Sequence, residues 1–204
     1  MSRGFLPLLL FVTAAGIGAL AFETEGFRVA TVDGARQLDI ERNPRPVPEV
    51  RLMDQSGQKF SFESYRGKPL FVDFIYTRCP TVCGLLGDEF HRVLEEWQHS
   101  NRDLQAGFLS VSFDLENDNQ EALRLYGDRF DAQAPQWRIA VPSNGRELDA
   151  LQQTFGLVVI PDGMGGFIHN SAIYLVDAHG RLVRALDPDS SPAVLARALK
   201  EASP

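Results

Sequence analysis

The stretch Phe71-Val-Asp-Phe-Ile-Tyr-Thr-Arg-Cys-Pro-Thr-Val-Cys83 decides the fold. Its first half is an apolar run rich in aromatic and β-branched residues, which reads as a buried strand. Its second half is a short loop carrying Cys79 and Cys83, the only 2 cysteines among 204 residues. Apolar residues then recur at Val82, Leu86, Phe90, Val93, Leu94 and Trp97, which is helical spacing. The thiols therefore sit where a strand ends and a helix begins. Cys79 takes the N-cap place and Pro80 the first helical one, where a missing N–H costs nothing. A sulfur there can accept hydrogen bonds from the free N–H groups of the first turn, and the helix dipole favours its thiolate. Cys83 falls one turn later on the same face, so both sulfurs can point at one spot.

Two blander readings of the pair are weaker. Buried cysteines acting as small hydrophobes need no helix start. A purely structural disulfide would close a loop of a few residues and add little chain-entropy stabilisation. Redox chemistry, metal binding, or both remain.

Working outward, Glu49–Met53 and Gln58–Phe62 flank Asp54-Gln-Ser-Gly57 and read as a β-hairpin. The central strand is expected over 70–76 and the cysteine helix over about 80–99. Ala106–Phe113 alternates as a strand. Asn117-Asp-Asn119 offers caps to a helix bearing Ala122, Leu123, Tyr126 and Phe130. Trp137–Val141 reads as a strand, and Asn144-Gly-Arg-Glu147 as a capping box for the next helix. Residues 156–170 read as a long loop with Pro161, Gly163, Gly165 and Gly166. Strands 171–176 and 181–186 follow, joined by Asp177-Ala-His-Gly180. Ser191-Pro192 opens a last helix. This order predicts an α/β, thioredoxin-like sandwich with an N-terminal β-hairpin, its site outside the carboxyl end of the first core strand.

The length suits one domain after a leader. Arg3 precedes an uncharged apolar run, Phe5–Phe22, with Ala19-Leu-Ala21 resembling a cleavage site. We expect a signal peptide or membrane anchor at 1–22, a linker at 23–48, where Asn43–Pro48 looks extended, and the folded domain at 49–204. Such a leader places the domain outside the cytoplasm, in the periplasm or on the outer face of the inner membrane, where a disulfide can persist. No cysteine follows the run to carry a lipid. The net charge of −7 argues against nucleic acid and anionic membrane surfaces as partners. The sequence holds no repeats and no low-complexity tract.

His169 ends the Gly-rich loop that a thioredoxin-like layout sets opposite the cysteine helix. Two thiolates and an imidazole suit copper: thiolates prefer Cu(I), and a Cys2His set also holds Cu(II). A structural zinc site normally takes four protein ligands, and three are in view. His91 and His99 lie on or after the helix and His179 in a turn, away from this set. Asp73 reads as a buried proton acceptor for the thiols or as a partly solvated strand end. Arg78 either favours thiolates or is simply exposed, and Met164 is a transient axial ligand or a packing residue.

Tyr76-Thr-Arg-Cys-Pro-Thr-Val-Cys83 together with His169 resembles the Sco (SenC-type) copper-binding proteins, over residues 45 to 200. The resemblance implies a thioredoxin-like fold and an exported, often tethered protein. It implies Cu(I) and Cu(II) bound by Cys79, Cys83 and His169, in a chaperone that supports the dinuclear copper centre of cytochrome c oxidase. The implied partner is the copper-receiving oxidase subunit or another exported cuproprotein. Ser112–Asp118 is similar to the family's Asp-Pro stretch, with Leu115 in place of the proline, and Asp114 is its site-supporting residue. The rival is a thiol–disulfide oxidoreductase, with Cys79 and Cys83 as its redox pair and a thiol–disulfide partner. CxxxC rather than CxxC spacing and the distal His169 favour the chaperone. A peroxiredoxin-type peroxidase ranks below both, because the pair lacks that family's usual Thr or Ser three residues before a lone attacking cysteine.

Overall fold

The computed structural model describes residues 5–23, 31–79, 82–99 and 106–202. The chain divides into two compact units, one up to Asp39 and one from Ile40 on. The first holds α1 (Phe5–Glu23) and most of α2 (Val32–Arg42). In α1, Leu8, Leu9, Leu10 and Phe11 are exposed. No helix among the described residues is long and apolar enough to cross a membrane. The Thr31 hydroxyl accepts from the Gly34 N–H at 3.0 Å and caps α2.

The second unit carries the sheet. Its elements are β1 (Arg45–Pro46), β2 (Leu52–Asp54), β3 (Lys59–Phe60), β4 (Leu70–Ile75), α3 (Val82–His99) and β5 (Gly107–Ser112). Then come α4 (Gln120–Arg129), β6 (Trp137–Pro142), α5 (Gly145–Phe155), β7 (Val159–Pro161), β8 (Phe167–His169), β9 (Ile173–Val176), β10 (Arg181–Leu186) and α6 (Pro192–Ala202). Eight strands form one sheet in the order β1-β10-β9-β4-β5-β6-β2-β3. The strands β4, β5 and β6 run parallel, and β9 lies antiparallel to β4. This is the thioredoxin-like α/β arrangement, with β4 central and running into the cysteine helix.

The hairpin forms as expected but shorter. Leu52 pairs with Phe60, and residues 62–65 turn into a 3-10 helix. Gly57 takes a φ of +80°, which the turn needs and L side chains rarely adopt. Two short elements fall within the stretch expected as a linker: the α2 helix, and β1, which pairs antiparallel with β10 at the sheet edge. The stretch expected as a long loop holds β7 and β8, a two-stranded sheet with Val159 opposite His169.

The strand β4 is buried on both faces, which explains its nearly unbroken apolar run. Alternation sends Phe71 and Asp73 to one side and Val72 and Phe74 to the other. Phe71 meets Trp97 of α3 at 6.2 Å and Phe108 of β5 at 5.5 Å. On the opposite side Phe74 meets Phe155 of α5 and Tyr174 of β9 at 5.1 and 5.8 Å. Helices thus cover both faces. The backbone of α3 passes close to Phe130: a Cβ on Gly87 would fall 2.6 Å from that ring. The expected caps form. Asn119 accepts from Ala122 N at 3.1 Å and Asn144 from Glu147 N at 3.2 Å. The Glu147 carboxylate returns a bond to Ser143 rather than to the cap residue.

Candidate metal centre

Parallel pairing decides what gathers at this end of the sheet. Because β4 and β5 run the same way, the loops after Ile75 and Ser112 emerge side by side. The first carries Cys79 and the second carries Asp114 and Asp118. Asp118 is 2 % exposed, and its carboxylate accepts from Thr77 N at 2.8 Å, the Thr77 hydroxyl at 2.6 Å and the Ser112 hydroxyl at 2.5 Å. A buried carboxylate with three donors is well satisfied and fixes the segment before Cys79. Asp114, also buried, accepts from Arg78 Nη2 at 3.0 Å and from Asn117 Nδ2. The backbone closes the turn, with Cys79 N–H donating to Tyr76 O at 3.1 Å.

Pro80 and Thr81, and with them the first helical position, lie outside the described residues. The sulfur contact expected at the helix start is present: Cys83 N–H donates to Cys79 Sγ at 3.5 Å. Both cysteines are free thiols, Cys79 partly exposed and Cys83 buried. Burial pushes the Cys83 thiol well above its usual range, and the neighbouring Cys79 and Asp73 push it further. Opposite charge beside the pair, such as a bound cation, reverses that preference.

Asp73 is fully buried, not a solvated strand end. Burial pushes its carboxyl up to about 7; Ser110, opposite in register, tempers the rise without completing a hydrogen bond. Neither oxygen has a hydrogen-bonding partner, so the neutral acid is the form this position favours. Tyr126 of α4 donates its hydroxyl to Cys83 O at 2.6 Å and ties that helix to the start of α3.

His169 stands on β8, not on a loop. Its ring lies 4.9 Å from Phe113 and 6.2 Å from Tyr76, both edge-on. Burial lowers its pKa, partly offset by the Asn170 carbonyl, so the imidazole is neutral at pH 7. Nδ1 lies 3.1 Å from Asn170 O, a pure acceptor, so Nδ1 carries the proton and Nε2 keeps the lone pair a metal would use. Among the described residues, no three His, Cys, Asp or Glu side chains stand close enough together to hold a metal ion. Cys79 precedes α3 and Cys83 lies in its first turn, the two joined by the Cys83 N–H to Cys79 Sγ bond; the imidazole packs on Tyr76 and Phe113.

Tyr76 joins the two halves, and beyond its place in the motif no residue pattern marks it. Its ring packs on Phe113, Phe167 and His169. Its hydroxyl lies at the ribbon turn, where a Cβ on Gly166 would fall 3.3 Å from it. Burial first, and Cys79 next, raise its pKa. Arg78 adds a second link, with Nη2 3.4 Å from Gly165 O at the ribbon turn. Met164, in that turn, is 89 % exposed. His91 Nδ1 instead meets Phe130 O at 2.9 Å, and His179 stays in its turn. Asp118, Thr77 and Ser112 escaped the sequence reading because the contact joins residues 41 positions apart.

The SCO1/SenC family model matches residues 40–203. The chain belongs to the SCO1/SenC family. A Stutzerimonas stutzeri protein named for copper binding is 27% identical over 179 residues, covering 86% of this chain and 83% of that one. ScoI of Bradyrhizobium japonicum, solved with copper bound, is 25% identical with a TM-score of 0.61, covering 77% of this chain and 99% of that one. BsSco, described as a member of the Sco family of cytochrome c oxidase assembly proteins with a disulfide switch, shares the fold. It has a TM-score of 0.67 at 23% identity, covering 78% of this chain and 94% of that one. The family match begins at Ile40, the residue that opens the second structural unit.

Proposed function

We propose that this SCO1/SenC chain is an exported copper chaperone. It binds Cu(I) and Cu(II) through Cys79, Cys83 and His169 and supports assembly of the copper centre of cytochrome c oxidase. The observation that carries this reading is the donor set: the Cys79 and Cys83 thiols joined by a backbone N–H to sulfur bond at the start of α3, and a neutral imidazole with Nε2 kept as an acceptor. Two sulfurs alone suit Cu(I), whereas Cu(II) requires the nitrogen as well. The relatives that bind copper, and the assembly role printed for BsSco, support the cargo and the destination. The leader at 1–22 supports export to the periplasmic side, with or without retention at the membrane.

A second reading rests on the same thiols. Neither cysteine is in a disulfide, so Cys79 and Cys83 can pass two electrons and two protons to a partner disulfide and become a disulfide themselves. A disulfide offers no thiolate pair, so the redox state would gate copper loading. The deciding experiment is titration of the purified protein with Cu(I) and Cu(II), reduced and oxidised. The chaperone reading expects tight binding of both ions by the reduced form and its loss on oxidation. Reduced protein that binds neither ion leaves the oxidoreductase reading.

A further inference from the structure

The geometry points to Arg78 as a positioning residue that latches the ribbon of β7 and β8, and with it His169, to the cysteine turn. Its guanidinium bridges the buried Asp114 carboxylate and the Gly165 carbonyl. That this governs copper, and only through His169, rests on the function proposed above; the latch itself does not.

Both ends of the bridge are defined. Arg78 Nη2 donates to Asp114 Oδ2 at 3.0 Å and to Gly165 O at 3.4 Å. This nitrogen carries two hydrogens, so it serves both acceptors. Asp114 is buried and fixed in its turn. It accepts from Asn117 Nδ2 at 2.8 and 3.0 Å, and its own N–H donates to the Ser112 hydroxyl at 3.1 Å. That hydroxyl donates in turn to Asp118, the carboxylate that holds Thr77. The guanidinium therefore stands on the network that fixes the segment before Cys79. At the other end, Asp162 Oδ1 accepts from Met164 N at 2.7 Å and from Gly166 N at 2.9 Å. Asp162 N–H donates to Gly166 O at 3.0 Å. These bonds shape the turn that presents Gly165 O.

The ribbon depends on such ties. Two strands of three residues, in a sheet of their own, hold little by themselves. At the base, Asn170 Oδ1 accepts from Val158 N at 2.8 Å and Asn170 Nδ2 donates to Gly156 O at 2.9 Å. Along the inner face, Phe167 and His169 rest on Phe113 and Tyr76. Arg78 ties the turn end. With both ends held, His169 samples fewer positions, and less freedom is lost when the imidazole joins a metal. The Arg78 side chain is half-exposed and Gly165 exposed, so the latch opens to water at little cost and its contribution is modest. Two sulfurs suffice for Cu(I), whereas Cu(II) needs the nitrogen. Arg78 thus bears on Cu(II) and leaves Cu(I) alone.

The test compares the reduced, full-length parent with Arg78→Ala. Because that change leaves the Asp114 carboxylate without its cation, Arg78→Ala combined with Asp114→Asn is measured beside it. The first arm is hydrogen exchange of the metal-free proteins, read by mass spectrometry. Amides of residues 159–169 should exchange several-fold faster in both variants, with those of α3 and β4 at the parent rate. The second arm is competition against a chelator: Cu(II) affinity should fall several-fold while Cu(I) affinity holds. Unchanged exchange in the ribbon overturns the proposal. Faster exchange throughout α3 and β4 as well marks a purely structural residue and also overturns it. Equal losses of Cu(I) and Cu(II) place the effect at the thiolates and overturn the positioning role. Faster ribbon exchange with no copper bound even by the parent upholds the latch and removes the copper reading instead.

Discussion

Cys83 is 1 % exposed, inside the sheet-and-helix core, while Met164, in the turn of the ribbon that carries His169, is 89 % exposed. The cysteine half of the site is built on the central strand and held by buried hydrogen bonds from Asp118. The histidine half rides on β7 and β8, a sheet of two short strands outside the main one. A single preassembled cage would need both halves on the same rigid scaffold. Here the softer, thiol-rich half is fixed, and the imidazole is parked against Phe113 and Tyr76. Such a division suits a protein that must release its cargo. On the proposed reading, the two sulfurs would retain Cu(I), and Cu(II), which needs a third donor, would take His169 from the ribbon.

The largest effect should come from the fixed half. Cys79→Ser or Cys83→Ser should lose more copper affinity than the ~10–100-fold typical of removing an outer-shell partner. Competition titration against a chelator measures it, and near-normal affinity in either variant would break the fixed half of the comparison.

Asp73 comes next, because it shows how apolar the ground beneath the thiols is. Its folded-state pKa, about 7, lies above the ordinary 3.8, so the native state favours the protonated acid. That contribution is fully present below pH 4, declines as pH rises towards 7 and is absent above it. The whole swing is about 4 kcal/mol at 1.36 kcal/mol per pKa unit. Asp73→Asn should therefore gain stability relative to the parent between pH 4.5 and 8, read from urea midpoints. A difference that stays flat across that range would mean the carboxyl is solvated.

Asp118→Ala should have a smaller effect on stability. It strands the Thr77 N–H and hydroxyl and the Ser112 hydroxyl in a buried place, a cost of about 2–3 kcal/mol. Chemical denaturation gives the number, and copper affinity should drop with it because the Cys79 turn loosens. A fully stable variant would show that the cysteine half needs no such clamp.

Much of this was legible in the sequence because strong local patterns agreed with the fold. The apolar run before Cys79 reads as a buried strand and is one, and Asn119 and Asn144 cap the helices that follow them. The ribbon was harder to read. Its strands are three residues each, Pro161 ends one, and the glycines of the turn signal a loop more loudly than Val159 and Ile160 signal a strand. At β1, Arg45–Pro46 was read as extended chain, but the pairing with β10 that makes it a strand is a tertiary fact. Within the site, Cys79, Cys83 and His169 stand out by residue type. Tyr76 looks like one more aromatic until its ring is seen between Phe113, Phe167 and His169, and Asp118 looks like a helix-start acid until Thr77 is brought beside it.

The central proposal is that His169 joins Cys79 and Cys83 to complete the site around Cu(II). X-ray absorption of the Cu(II)-loaded protein, beside His169→Ala, tests it most directly. The account predicts two sulfurs and an imidazole nitrogen on copper in the parent. In the variant it predicts loss of the nitrogen and of the thiolate-to-Cu(II) absorption, with Cu(I) binding weakened far less. An unchanged Cu(II) coordination shell in His169→Ala would contradict it.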